Sequence, residues 1–405
     1  MIEGLVYVCQ AFPWVTQTFT VREVATLREQ GLDVRVVSFT RPPDELVDAT
    51  GRGLLAVTTF VPRPWSAAFL ASLARIAARH PLTFTRLTLL ALVSPGLLRT
   101  PWRLRARGVL AVARGAWLAA RFTAARLFHA ELADEACTAA MAAAELGQRR
   151  FSFKSHASFN PQLLARKATG AAFVAVESEF DRRHYFAALP GERVLVNRAG
   201  VAADAPLEHR PASASLRILS VGTLQEKKGH RYLLAALRLL AADGIEFRCV
   251  IVGSGPLAAE LGERIASYGL GEQVSLVPYL PHDEVARLYG GHDVFALPCV
   301  VTPDGDRDGI PTVLIEAAAA GCALVTTPVS GIPELVVDGE SGLLVPEQDE
   351  RALADALARL AGDPELRMRL AEGAGRVVAD RFDLRRNVKA LGARFELELD
   401  APSAP

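Results

Sequence analysis

Cysteine is scarce in this chain and carries no pattern. The five residues, at 9, 137, 249, 299 and 322, form no CxxC pair and keep no regular spacing. That excludes a zinc ribbon, indicates no disulfide framework and fits a reducing cytoplasm. An excess of either charge is missing too: 45 acidic residues stand against 45 basic ones. A globally basic nucleic-acid binder is thereby excluded. No apolar run approaches the roughly 20 residues that a membrane-crossing helix needs. Leu87 to Leu98 is the longest arginine-free apolar stretch of the most lipid-like region, and Pro95 and Gly96 interrupt it. The start, MIEGLVYVCQAF, has neither a basic n-region nor a small-residue cleavage site, so it is predicted to be a first strand and not a signal peptide. Low-complexity tracts and short tandem repeats are also absent.

One absence is local. Between Asp48 and Glu131 there is no Asp, Glu or Lys, while twelve arginines occur, from Arg52 to Arg126. Trp65, Trp102 and Trp117 lie in the same segment among Ala, Leu and Val. This is the composition of a basic amphipathic element that rests on an anionic membrane surface without crossing it. The competing reading is an arginine-rich helical subdomain whose cations are solvated.

What the chain has in abundance is apolar residues, half of its 405, enough for a large core and two or more domains. LVYVCQ (5–10) reads as a strand, FPWVTQ (12–17) as a loop, Phe19 to Gln30 as a helix stopped by Gly31, and DVRVVSF (33–39) as a second strand. That βαβ start predicts a parallel sheet, with ligands at its carboxyl edge. RRFSFKSHASFN (149–160) continues it as a strand and a loop bearing His156. Gly200 to Ser215, rich in Pro and Ala, reads as a linker. The same grammar restarts in LRILSVGTLQEKKGH (216–230), EFRCVIVGSGPLAAEL (246–261), QVSLVPYL, DVFALP and ALVTT. The expected organisation is an α/β chain of two Rossmann-like domains. They cover 1–205, with an arginine-rich helical insert over about 52–128, and 206–382, before a helical region and tail at 383–405.

The most informative stretch is DGDRDGIPTVLIEAAAAG (304–321). It sets Asp308 and Glu316 eight residues apart across Gly309, Ile310 and Pro311, at the start of a helix that Gly321 stops. Such a helix start offers unpaired N–H groups to an anion, and flanking carboxylates accept hydrogen bonds from hydroxyls. Phosphate with polyol points to a nucleotide sugar. Two rivals stand beside this reading: a plain acidic loop capping a buried helix, and a calcium loop over Asp304, Asp306 and Asp308. The calcium loop needs Glu at its twelfth position, which is Ile315; a one-residue offset turns the carboxylate by about 100°. Lys228, before Gly229 at another helix start, can meet a diphosphate; on its own it also reads as a solvated surface lysine, as does Lys227.

This spacing resembles the acidic-x7-acidic signature of glycosyltransferase family 4, with Asp308 where Glu is usual. FPWVTQTFTVREVATLREQG and RLFHAELADEA resemble the opening and the HAHF element of its exopolysaccharide, colanic-acid-like subgroup, with Glu131 in place of the second His. The resemblance implies the GT-B architecture, two Rossmann-like domains facing across a cleft with the C-terminal helix of 383–405 returning to the first of them, in a retaining enzyme without cofactor or metal. It assigns Lys228 to the donor diphosphate, with Gly222 and Thr223 in a loop where Arg is usual in place of Thr223. It also assigns Gly253 and Gly255 to the nucleotide, Pro278 and Tyr279 to the base, Glu316 to the ribose and Asp308 to the transferred sugar. The N–H groups of Gly309, Ile310, Pro311's neighbour Thr312 and Val313 would hold sugar and phosphate oxygens. Ser330 and Gly331 match a loop that Glu334 stabilises. His156 is implied to bind the transferred sugar, and Pro13, Thr18 and His129 the acceptor side. The expected partners are a nucleotide diphosphate sugar, a lipid-linked glycan and an anionic membrane surface, with no nucleic acid, at the cytoplasmic face of a membrane. A small-molecule or inositol-lipid acceptor, or a non-catalytic nucleotide-sugar scaffold, are the alternatives.

Overall fold

The computed structural model describes residues 4–14, 18–43, 47–93, 102–155, 164–201 and 215–401. Two compact units emerge. The first comprises Met1–Val176, Arg182–Asn197 and Val388–Pro405; the second comprises Glu177–Asp181 and Arg198–Asn387.

In the first unit β1 (Leu5–Ala11), α1 (Thr18–Glu29) and β2 (Val34–Thr40) form the expected βαβ opening. There follow α2 (Ala49–Leu54), β3 (Thr58–Phe60), α3 (Ala67–Arg79), α4 (Pro81–Val93) and α5 (Trp102–Arg121). The sheet resumes with β4 (Leu127–Ala130), α6 (Glu135–Gly147), β5 (Arg150–Ser155), α7 (Leu164–Gly170), β6 (Val174–Val176), α8 (Glu179–Tyr185) and β7 (Val194–Val196). Its seven strands lie in the order β3-β2-β1-β4-β5-β6-β7, all parallel. Strands buried on both faces are near-continuous apolar runs, and β1, LVYVCQA, is one apart from the half-buried Gln10.

The arginine-rich segment is therefore helical, and its three tryptophans separate. Trp65 and Trp102 are exposed, but Trp117 is 5% exposed and lies in the core edge-on to Phe122. Trp117 is expected at a membrane surface; it is buried instead because that stretch of α5 is where the insert packs back on the domain. Gly115 makes the approach possible: a Cβ there would stand 2.6 Å from the Ala139 carbonyl.

The second unit runs β8 (Leu216–Val221), α9 (His230–Ala242), β9 (Phe247–Val252), α10 (Ala258–Ser267), β10 (Val274–Val277), α11 (His282–Gly291) and β11 (Val294–Leu297). It closes with α12 (Thr312–Ala319), β12 (Ala323–Thr326), β13 (Leu343–Leu344), α13 (Glu350–Gly362), α14 (Pro364–Arg381) and α15 (Leu384–Asp400). The six parallel strands are ordered β10-β9-β8-β11-β12-β13, the same winding as in the first unit. From Val388 onward α15 belongs to the first unit. Phe395 seats its ring 5.8 Å from Tyr7, 4.9 Å from His129 and 5.7 Å from Phe173.

Each sheet reverses its winding once, between β1 and β4 and between β8 and β11. Loops leaving the carboxyl ends of the two strands diverge there and open a crevice in which doubly wound folds bind ligands. In the second unit those loops begin at Gly222 and Pro298.

Candidate functional site

The loop after β8 closes with one turn of 3-10 helix, Glu226–Lys228, and Gly229 in the left-handed region at φ 71°. Only glycine fits there, because a Cβ would stand 1.7 Å from the Pro298 carbonyl oxygen. This approach locks the β8 loop onto the β11 loop. Val300 donates its N–H to the Lys227 carbonyl at 2.9 Å, and both lysines then face the acidic stretch. Lys228 Nζ lies 2.9 Å from Asp308 Oδ2, and Lys227 Nζ lies 3.2 Å from Asp306 Oδ1. The Lys228 and Asp308 side chains are mostly buried, 12% and 15% exposed. Burial opposes the ammonium charge, but the Asp308 carboxylate outweighs it, and the Lys228 pKa lies above the ordinary lysine value. Lys228 is thus held as a cation, and with three N–H donors it can bind Asp308 and a further anion together.

Cys299 directs its thiol to Asp308 Oδ2 at 3.7 Å, and burial, with Asp308 beside it, pushes the thiol pKa up. His230, the first residue of α9, is buried, and neither ring nitrogen has a hydrogen-bond partner among the described residues. Burial and then the Lys228 charge push its pKa down to about 4.

Beyond Asp308 the chain enters α12 through Pro311, the residue capping its N-terminus. Ile310 and Pro311 are buried while Gly309, Thr312 and Val313 are half-buried, so the first two offer only backbone to a ligand. Glu316, one turn inside α12, accepts a hydrogen bond from the Tyr289 hydroxyl at 3.2 Å and lies 3.8 Å from His282 Nδ1. The remaining donor candidates cluster beside Lys228. Gly253 abuts the Gly222 carbonyl and Gly255 the Leu224 carbonyl so closely that a Cβ would stand 1.9 and 2.5 Å away. Their glycine character is thus required by loop packing. The Tyr279 N–H reaches Ser254 Oγ at 3.0 Å, tying the exposed Pro278–Tyr279 pair to the same loops, and Thr223 is exposed at the rim. Glu334 holds the Phe180 N–H at 3.1 Å and pairs with Arg198.

Acidic residues of the would-be calcium loop take separate partners: Asp304 accepts from Thr302, and Asp306 and Asp308 from the lysines. Among the described residues no group of three His, Cys, Asp or Glu side chains converges on one point.

The acceptor candidates of the first unit fare differently. His129, expected at that side, has no exposed surface. It is sandwiched by Tyr7, Phe173 and Phe395, its Nδ1 lies 2.8 Å from Ser152 Oγ, and burial pushes its pKa down to about 3. It is a core histidine that no sugar reaches. Pro13 is also buried, under Gly51 of α2. Thr18 opens α1, and its side chain, like all of His156, lies outside the described residues. At the carboxyl edge of this sheet the buried polar groups are instead Glu23, hydrogen-bonded by Tyr7 and Lys154 at 2.9 and 2.8 Å, and Glu131, which Thr20 reaches at 2.5 Å.

Sequence reasoning missed Cys299, His230, His282 and Tyr289. The glycine-flanked lysine pair pointed to its own loop, but nothing linear joins Tyr289 to Glu316; the packing of α11 on α12 does.

Two Rossmann-like units wound alike, with a lysine–aspartate pair at the switch point of the second, define a GT-B glycosyltransferase fold. Solved structures carry the same fold at low sequence identity. A glycosyltransferase from Rickettsia africae superposes with a TM-score of 0.72 at 15% identity, covering 99% of this chain and 100% of that one. Anabaena HepE, crystallised in complex with UDP and glucose, gives 0.69 at 15% identity over 98% and 100%. Residues 208–377 match the family described as Glycosyl transferases group 1, so the chain carries a domain of that family. Relatives include the protein named for colanic acid biosynthesis, WcaL of Escherichia coli, 43% identical over 42% of each chain. The amylovoran biosynthesis glycosyltransferase AmsK of Erwinia amylovora is 37% identical over 52% of each. The alpha-D-kanosaminyltransferase of Streptomyces kanamyceticus is 30% identical over 54% of this chain and 58% of its own. The chain spans about half the length of the curated relatives it matches.

Proposed function

We propose that this chain is a retaining, metal-independent glycosyltransferase that moves a sugar from a nucleoside diphosphate to a lipid-linked glycan during exopolysaccharide assembly, at the cytoplasmic face of a membrane. Residues 206–382 bind the donor and residues 1–205 the acceptor. The observation that carries this reading is the Lys228–Asp308 pair, 2.9 Å apart at the switch point of the second sheet. It sets a fixed cation for phosphate beside a carboxylate for sugar hydroxyls, just ahead of a helix N-terminus that favours anions.

In this reading Lys228 and the first turn of α12 stabilise the diphosphate as charge develops on it. Glu316, oriented by Tyr289, accepts from the ribose hydroxyls, and Asp308 from the sugar. His156 hydrogen-bonds the transferred sugar. The bond between the anomeric carbon and the diphosphate oxygen breaks while the acceptor oxygen bonds to the same face. The acceptor's proton passes to the departing phosphate oxygen, so no side chain serves as nucleophile. Relatives named for colanic acid and amylovoran biosynthesis support a role in exopolysaccharide assembly; similarity to an alpha-D-kanosaminyltransferase supports a small-molecule acceptor as the second reading.

The test is calorimetric titration with a panel of nucleoside diphosphate sugars, followed by transfer of labelled sugar to membrane extracts or soluble aglycones. Binding of one donor with transfer into the lipid fraction is expected. Absence of binding by every donor overturns the proposal, and label appearing only on soluble aglycones selects the second reading.

A further inference from the structure

Apolar side chains on the surface of the described residues are unevenly spread. Of the ten large ones that are exposed, six, Trp65, Leu70, Leu82, Leu89, Leu92 and Trp102, belong to the segment from 65 to 102. The concentration is sharpest on α4, PLTFTRLTLLALV, which is apolar all round and has a single charge. Leu87 and Ala91 are buried against the domain, and Phe84 is packed on it. The opposite stripe, Leu82, Thr85, Leu89 and Leu92, recurs at i, i+3, i+7 and i+10 and faces outward, Leu82 at 86% exposure. A helix apolar on every side belongs inside a protein or against lipid, not in water.

The surroundings identify the occupant. Arg63, Arg75, Arg79, Arg103 and Arg107 are exposed on the flanking elements, and no acidic residue occurs from 49 to 130. Arg86, the one cation of α4, stays exposed and pairs with Glu145 of α6. Trp65 and Trp102, 73% and 72% exposed, stand before α3 and at the start of α5; indole rings favour the boundary between headgroups and acyl chains. At 13 residues, α4 is about 20 Å long, against a hydrocarbon core of about 30 Å, so it lies in the interface plane and does not cross. No helix among the described residues is long and apolar enough to cross a membrane. A second copy of this chain is a poor occupant, because a self-complementary contact would oppose arginines to arginines.

We propose that the outward face of α4, together with the exposed Trp65, Trp102 and arginines of the neighbouring elements, docks the protein on an anionic lipid bilayer. The leucines enter the headgroup boundary and the arginines meet lipid phosphates. The proposal needs neither donor nor acceptor, so it stands or falls separately from the glycosyltransferase reading.

The full chain is tested by co-sedimentation with vesicles of phosphatidylcholine alone or mixed with phosphatidylglycerol. Binding is expected on the anionic vesicles and should fall several-fold as salt rises from about 50 to about 300 mM. Leu82→Ser/Leu89→Ser/Leu92→Ser should lower it at least about fivefold, and so should the independent set Arg75→Gln/Arg79→Gln/Arg103→Gln/Arg107→Gln. Tryptophan emission should shift to the blue on anionic vesicles, and the shift should be lost in Trp65→Phe/Trp102→Phe. Wild-type binding indifferent to phosphatidylglycerol, or both variant sets binding like wild type, overturns the proposal. So does a vesicle-free dimer that Leu82→Ser converts to monomer, which would assign the face to a second copy.

Discussion

At Lys228 the contact with Asp308 fixes charge and position together. Removing the ammonium in Lys228→Ala should weaken donor binding by about 1.5–3 kcal/mol, the cost of a lost charge-assisted bond, in calorimetric titration. Asp308→Asn keeps the shape and removes the carboxylate charge. Combined with Lys228→Ala it should show a coupling of about 0.5–3 kcal/mol in donor affinity, since the two side chains touch. Purely additive losses would separate their roles. Buried titratable groups also make stability depend on pH. His129 and His230, with folded pKa values of about 3 and about 4 against an ordinary 6.5, stay neutral while the unfolded chain protonates. Stability therefore falls as pH drops below about 6.5, by up to about 1.4 kcal/mol per pH unit for each histidine. Asp134, which burial pushes up to about 6 from 3.8, works oppositely between those values, because there the folded state holds the extra proton. Thermal melts from pH 7 to pH 4 should thus show a net acid-side loss that His230→Leu reduces. The loops that carry Lys228, Asp308 and Glu316 are legible in the chain because each residue lies at, or one turn inside, a helix start with its own glycine or proline signal. His129 was misplaced because a histidine ending a strand looks the same in sequence whether it faces solvent or an aromatic stack.

For elements, periodicity marks β1, β2, β5 and β8 to β12, since parallel strands buried on both faces are largely apolar runs. It did not say which side of the arginine-rich helices faces the domain. Alanine-rich helices such as α6 carry too little contrast for that, and small residues decide it by close approach. Gly115 is the sharpest case. Gly115→Ala drives a methyl into the α6 backbone and should cost about 1–3 kcal/mol in denaturant unfolding, as overpacking does. Gly262, on α10, has nothing within 4 Å of its added Cβ. Gly262→Ala there should leave the protein equally stable or raise stability by about 0.5–1 kcal/mol. A similar response of both glycines would mean that helix propensity, and not the α5–α6 contact, sets the outcome.

On the scale of the whole molecule, two halves with one winding order were readable from the restart of strand, glycine loop and helix after residue 215. That the last helix returns to the first domain is implied by the family resemblance, but the residues that hold it there are not legible, because the tie depends on Phe395 meeting Tyr7, His129 and Phe173. Those rings are brought together from distant parts of the chain. Phe395→Ala should cost about 3–5 kcal/mol of stability, typical of emptying a buried aromatic site, and hydrogen exchange should show the loss in β1 and β4. An unfolding transition unchanged in those strands would argue that α15 is an accessory. The same helix sets an order on biosynthesis. Tyr7 leaves the ribosome 388 residues before Phe395, and the whole second sheet is made in between. The first unit therefore waits with an uncovered aromatic surface while the second folds, and the interval before α15 arrives is when a nascent chain of this kind most needs a chaperone.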